Sequence, residues 1–336
     1  MRGVSIPPSL RGIRILCLWG LIVLFSSCVQ KPPESSLLPV TIAFQKWVGY
    51  GLFYLAQEKG FFKEEGLEPV FVEEPLDASR RDAFQQGLLD FEGGTLDLLV
   101  SKAAQDTPVV AVMELDESSG GDAIVAAENI RTLEDLIGKR VVLSRDDVGE
   151  TLLSVLLYKN NLSLGGVILV PGLVGDIARD FLAGKADACV TWEPQVSEAL
   201  KRPGAHILAS TREHPGTILD TLNVRRDLLE GNPALVQKVM RAWFKALQDY
   251  RLHPEEASAI LAPYYRMTPE EYRKEILGLQ WVGYEEQAKP SKLEAWGKLF
   301  NAIAEIKFVH GRISHKPDAS LHLNHALLEK LYEDRP

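Results

Sequence analysis

The sequence predicts an α/β fold in two lobes, each a parallel sheet with helices on both faces. Three observations carry that expectation. At 336 residues the chain is longer than one hydrophobic core usually serves, since cores stop growing near roughly 250–300 residues. Short apolar runs alternate with helical patterns, the spacing that gives parallel sheets covered on both sides. Between two such runs, Val109–Met113 and Ala123–Ala127, the stretch LDESSGGD holds carboxylates, serines and a Gly-Gly pair. A tight hairpin needs about two turn residues there, and a core tolerates few polar groups.

At the amino end, Arg11 and Arg14 precede an apolar stretch, Ile15 to Phe25, that closes on Ser26, Ser27 and Cys28. This is the layout of an export signal, and it is shorter than the ~20 residues a bilayer span needs. LFSSC also resembles the lipobox of bacterial lipoproteins, with Phe25 where Leu, Val or Ile is usual. Residues 1–28 are therefore expected to be a lipoprotein signal peptide and Cys28 the lipidated residue; an uncleaved anchor and plain secretion are the alternatives. Residues 29–38, rich in proline, serine and charge, read as a tether holding an exported body off its membrane, facing the periplasm or cell exterior. With Cys17 and Cys28 assigned to the leader, Cys189 is left as a single thiol in an apolar run, expected to be buried.

The body then alternates. Strands are expected at Val40–Phe44, Pro69–Glu73, Val109–Met113, Ala123–Ala127, Arg140–Leu143, Val167–Val170, Ala188–Trp192 and His206–Ala209. Helices are expected at Leu52–Lys59, about Asp77–Gln86, about Glu150–Asn160 and around Ile177–Leu182. From residue 226 the pattern is helical alone, with Leu235, Val239, Trp243 and Leu247 recurring at helical spacing after Pro233. That run is expected to pack back on the first sheet. The chain then crosses between lobes twice, near Ser118–Gly121 and within Ser210–Asn223. The division is 39–117 and 217–336 for a discontinuous first lobe, and 118–216 for the second. Glycines at the first crossing suit a hinge and its polar side chains a wet cleft.

Charge and motifs exclude several classes. The net charge is −9; from Cys28 onward 34 basic side chains face 46 acidic ones, a net of −12. Neither nucleic acid nor an anionic membrane surface is an expected partner. No HExxH, GxSxG or GxxxxGK[ST] pattern occurs, so no enzyme, cofactor or metal is predicted. His310, His315, His322 and His325 read as a solvated tail.

The segments WVGYGLFYLAQEKGFFKEEGL, SSGGDAIVA, EDLIGKRVVL and GKADACVTWEP, spanning residues 40 to about 285, resemble in content and order the substrate-binding lipoproteins of nitrate, taurine, aliphatic sulfonate and pyrimidine-precursor ABC importers, the Thi5-like group. The resemblance implies a periplasmic-binding-protein fold of the second type, a monomer that closes on a small-molecule solute and delivers it to an ABC permease. A lipid-anchored ligand sensor would use the same cleft. Thi5-like pyrimidine-synthesis and menaquinone-pathway enzymes share the architecture, but the cysteine-rich motif of the former is absent and an export signal separates the latter from their substrates.

Eight residues are candidate ligand contacts, each with a plainer reading beside it. Trp47 and Tyr50 follow the first strand at its carboxyl end, where open α/β sheets bind ligands, yet rings there also lid a core. Trp192 and Glu193 end a strand of the second lobe, and Glu193 before Pro194 equally suits a helix first turn. Asp122 could hold an amine or cap the Gly-Gly turn. Ser118 and Ser119 are hinge hydroxyls, and Thr95 is a site wall or a helix N-cap. In SRDDVGET, Asp147 and Glu150 are expected to form a capping box, which with Asp146 disfavours a bare inorganic anion.

Overall fold

The computed structural model describes residues 37–73 and 78–333. The expected signal peptide, Cys28 and nearly all of the tether lie outside the described residues. Along the described chain the strands are β1 (Leu38–Ala43), β2 (Leu67–Val72), β3 (Phe91–Thr95), β4 (Val109–Ser118), β5 (Asp122–Ala126), β6 (Arg140–Leu143), β7 (Ile168–Pro171), β8 (Ala188–Trp192), β9 (His206–Ser210), β10 (Leu219–Arg225) and β11 (Leu279–Trp281). They form a six-stranded sheet in the order β11-β4-β10-β3-β1-β2 and a five-stranded sheet in the order β7-β6-β8-β5-β9. This is the two-lobed α/β architecture the sequence predicts.

The sheets are mixed rather than parallel. β1 runs parallel to β2 and β3, but β10 is antiparallel to both β3 and β4. In the second sheet β6 is parallel to β7 and β8, whereas β5 is antiparallel to β8 and β9. The double crossing is the cause. β4 leaves the first sheet at Ser118, β5 enters the second at Asp122, and the return from β9 enters the first sheet at Leu219, opposite Glu117 of β4. A strand that enters where its neighbour leaves must run antiparallel to it.

Side chains alternate between two apolar layers on each sheet, as a period of two requires. Ile124, Val141, Leu143, Ala188 and Val190 pack under helix Val148–Lys159 through Leu152, Leu153 and Leu156. Ala123, Val125, Val142 and Cys189 pack on the other side against Ile177, Phe181 and Val196. Cys189 is a buried thiol, as expected, and burial pushes its pKa up to about 12. On the first sheet Ile42, Phe44, Val110 and Val112 join Phe53 and Trp243 in one layer. Ala43, Val109 and Ala111 face Leu96, Trp296 and Phe300 in the other. The helical carboxyl-terminal part thus covers both faces of the first sheet.

Three expectations are corrected. The segment after residue 226 is not helical alone, because β11 adds to the edge of β4. β3 and β10 were not expected, since FEGGT is glycine-rich and LDTLNVR is polar, and both compositions are poor strand formers. The histidine tail is not solvated throughout: His322 is buried with Nδ1 2.9 Å from the Val109 carbonyl oxygen, and the His325 ring centroid lies 4.3 Å from that of Trp296.

Trp243 is fully buried, its ring centroid 4.6 Å from that of Phe53. Trp243→Ala is expected to lower unfolding stability by about 3–5 kcal/mol, read as a lower guanidinium midpoint at unchanged slope.

Candidate functional site

The edge of the first sheet where β1 and β3 end and β10 begins meets the edge of the second sheet where β5 begins and β8 ends. Register fixes what stands there. Asp220 pairs with Thr95 on one side and Asp116 on the other, while Asp122 pairs with Trp192. Trp47, Tyr50, Thr95 and Asp220 from the first lobe, with Asp122, Asp147 and Trp192 from the second, line a small cavity of about 40 Å³ that opens to solvent. Gln45, Leu98, Val148 and Ile218 complete its wall. A larger hollow borders helix Pro233–Leu252, but its Arg241 and Lys245 are held by Glu65, and it joins no sheet edges.

Each ring is held by a carboxylate. Trp47 Nε1 donates to Asp116 Oδ1 at 3.1 Å, and Tyr50 Oη donates to Asp220 Oδ1 at 2.5 Å. Gly49 lets this happen. A Cβ there would stand 2.2 Å from Asp116 Oδ2 and 2.4 Å from Trp47 Nε1, closer than any real contact. Thr95 occupies the N-cap position of helix Leu96–Ala103, but its side chain makes no capping bond and its buried Oγ1 has no hydrogen-bond partner.

In the second lobe Asp147 caps helix Val148–Lys159 by accepting from the Val148 amide at 2.7 Å. The expected capping box does not form. Glu150 instead accepts from the Asp146 amide at 2.8 Å and from Arg312 Nη2 at 2.5 Å. That pair ties the second lobe to the first, as does Thr151 Oγ1 donating to Asp97 Oδ2 at 3.0 Å; Lys307, 3.3 Å from the same oxygen, pairs with Asp97 within the first lobe.

Of the eight sequence candidates, Trp47, Tyr50, Thr95, Asp122 and Trp192 come together at the cavity. Ser118, Ser119 and Glu193 do not line it. Ser118 Oγ lies 2.8 Å from Thr211 Oγ1 and accepts from the Asp122 amide at 3.1 Å, so it joins the two crossings. The Ser119 and Gly121 amides both donate to the Gly278 carbonyl at 2.8 Å. Glu193 accepts from the amide and hydroxyl of Ser197, the first-turn role weighed for it. Sequence reasoning missed Asp220 and Asp116. Asp220 sits in a segment read as a polar loop, where the alternation of Leu219, Thr221 and Asn223 with Asp220 and Leu222 gave no apolar stripe.

The electrostatics are one-sided. Burial, and then the charge of Asp220, hold Asp116 well above the usual carboxylate range. Burial pushes Asp220 up to about 7 against the opposing bond from Tyr50, and Asp122 up to about 7 against that from Ser118. Burial and the charge of Asp97 bring Asp147 to about 6. Among the described residues no lysine or arginine lines the cavity.

Known proteins resemble this chain along most of its length. The family model described as NMT1/THI5 like matches residues 48–257. A protein of Brucella abortus named for a binding role is 22% identical over 289 residues, 84% of this chain and 88% of its own. The taurine-binding periplasmic protein of Escherichia coli is 26% identical over 47% of this chain and 49% of its own. Among solved structures, the periplasmic aliphatic sulphonate binding protein SsuA of Escherichia coli superposes with a TM-score of 0.72 at 20% identity, covering 87% of this chain and 99% of its own. The desulfurization enzyme DSZB also shares the fold, with a TM-score of 0.61 at 16% identity over 88% of this chain and 100% of its own.

Asp122→Asn tests the unpaired charge. An aspartate whose pKa rises from 3.8 toward 7 on folding destabilises the fold as pH climbs through that window, because only the unfolded chain ionises freely. The variant should therefore melt higher than the parent at pH 8, with the gap closing toward pH 4, in paired thermal melts.

Proposed function

Because the chain belongs to the NMT1/THI5 like family, we propose that it is the extracytoplasmic solute-binding component of an ABC importer, capturing a small organic nutrient by closure of two lobes. The observation that carries this reading is the cavity itself. Its walls come from both lobes and sit at the two chain crossings, so a solute there touches both lobes only when they are closed. Differential contact of that kind shifts the open and closed populations, and a permease can read the closed form.

The lobes are taken as 39–117 with 217–336, and 118–216. The partners are the solute, an ABC permease and, through lipid on Cys28, the membrane; the working form is a monomer. The names of the relatives favour binding over catalysis. The cavity's carboxylates stand beside aromatic rings, a lining suited to orienting a solute. The solute class lies between taurine- or sulfonate-like and pyrimidine- or nitrogen-heterocycle-like compounds.

Small-angle scattering of the refolded protein, before and after addition of a fractionated small-molecule extract, tests the reading: one fraction should reduce the radius of gyration. A single unchanging envelope with every fraction would sink it. Trp47→Ala should weaken binding of the active fraction by at least about tenfold, the loss of one stacked ring, while the solute-free protein still folds but melts lower, because the ring is buried and bonded to Asp116. In cells, Cys28→Ser should move the protein from the membrane fraction to the soluble one.

A further inference from the structure

Seven carboxylates are buried among the described residues: Glu92, Asp97, Glu114, Asp116, Asp122, Glu150 and Asp220. Four have a cation beside them. Lys102 pairs with Glu92, Lys307 with Asp97, Lys292 with Glu114 and Arg312 with Glu150. The other three do not, and the charges acting on them are those of further carboxylates. These three stand together. Asp122 and Asp220 line the cleft cavity, and Asp116 is the cross-strand partner of Asp220 and the anchor of the Trp47 ring.

Taking a carboxylate out of water is costly unless a positive charge or several hydrogen bonds replace the solvent. Beside the other four buried carboxylates among the described residues a lysine or arginine supplies the positive charge; beside these three none does. Two further atoms there lack partners, Thr95 Oγ1 on the wall and Asp116 Oδ2 behind Trp47. The indoles of Trp47 and Trp192, one from each lobe, stand on the same wall, and an indole face attracts a cation.

We propose that the solute itself is the missing counter-ion: a small organic cation, an ammonium or amidinium on a flat or apolar body, with its charge against Asp220 and Asp122 and its body against Trp47 and Trp192. The inference rests on the receptor reading and narrows it. A sulfonate or nitrate would add negative charge to a wall whose ionisable acids, Asp122, Asp147 and Asp220, face no lysine or arginine among the described lining residues. A bare metal ion would use the carboxylates and leave the rings without a role.

The test is titration of protein that has been unfolded and refolded to remove resident solute, with benzylammonium, benzamidinium, neutral benzamide, benzenesulfonate, taurine and calcium chloride, followed by thermal shift and calorimetry at pH 7.5. Benzylammonium or benzamidinium should bind one to one and raise the melting temperature, while benzamide and benzenesulfonate should not. Asp220→Asn and Asp122→Asn should each weaken that binding by about 10- to 100-fold, the loss of a charge-assisted bond. Glu198→Gln, at an exposed surface pair with Lys201, should leave it intact. Binding of benzenesulfonate without either cation would overturn the inference and leave the receptor standing. Calcium binding without the organic cations would replace an organic solute by a metal. Cation binding that survives both aspartate variants would move the site elsewhere. Silence from every probe, together with an unchanging scattering envelope, would overturn both readings.

Discussion

The antiparallel ladder between β4 and β10 is the constraint on which the cleft depends. These two strands carry the chain out of the first sheet and back into it, so their register sets which residues of the two crossings stand side by side. With Leu219 opposite Glu117 and Asp220 opposite Asp116, two carboxylates meet on adjacent strands at the sheet's edge. Like charges directly opposite one another are unfavourable in a sheet. Here they are tolerated because hydrogen bonds from Tyr50 and Trp47 take up one oxygen of each. The same ladder brings Ser118 beside Thr211 and fastens the outgoing crossing to the returning one. Gly120, at φ 108°, supplies the one backbone conformation on the outgoing side that other residues rarely adopt.

Polar residues in β10 follow from the same position. A strand flanked on both sides would ordinarily be apolar, since both its faces meet packed layers. β10 instead has Asp220, Thr221 and Asn223 buried alongside Leu222 and Val224. The Thr221 hydroxyl lies 3.1 Å from the Gly94 carbonyl oxygen and 2.9 Å from Asn223 Oδ1, its single proton shared between the two acceptors. These polar groups satisfy one another or face the cavity, so the strand gives up apolar burial to line a wet cleft. β3 makes a parallel concession, with Gly93 lying against the ring of Tyr50.

This explains what was legible in the sequence. Continuous apolar runs such as Ala123–Ala127 and Ala188–Trp192 announced the second sheet, because both of its faces are covered and its side chains are almost wholly apolar. Trp47, Tyr50, Asp122 and Trp192 were legible as well: each sits at a strand end, and strand ends are where an open sheet exposes its edge. Asp116 and Asp220 were not. The one lay in an interval read as a hinge, the other in an interval read as a polar return loop. Nothing in a single sequence states that two such intervals pair. Their pairing is a long-range fact of topology, separated by about a hundred residues of intervening lobe. Arg312 and Lys307, which reach Glu150 and Asp97, were hidden for the same reason.

Those cross-lobe pairs bear on how closure is poised. Arg312 with Glu150, and Asp97 with Thr151, draw the lobes together whether or not a solute is present. Asp122 and Asp147 of the second lobe, facing Asp220 and Asp97 of the first, push the other way. Partly exposed ion pairs are worth little individually, and repulsion inside the cleft grows as water leaves it. The two tendencies therefore oppose each other at one interface, and a positive solute changes only the second, turning repulsion into attraction while leaving the latch as it was. A neutral solute of the same shape would gain the ring contacts but leave the repulsion in place. Acidification would act on the same term from the other side: protonating Asp122 and Asp220 as pH falls below about 7 removes the repulsion that resists closure and, with it, the charge that would hold a cation. Empty closure and cation affinity should thus move in opposite directions with pH, a coupling that hydrophobic capture between the same two lobes would not produce.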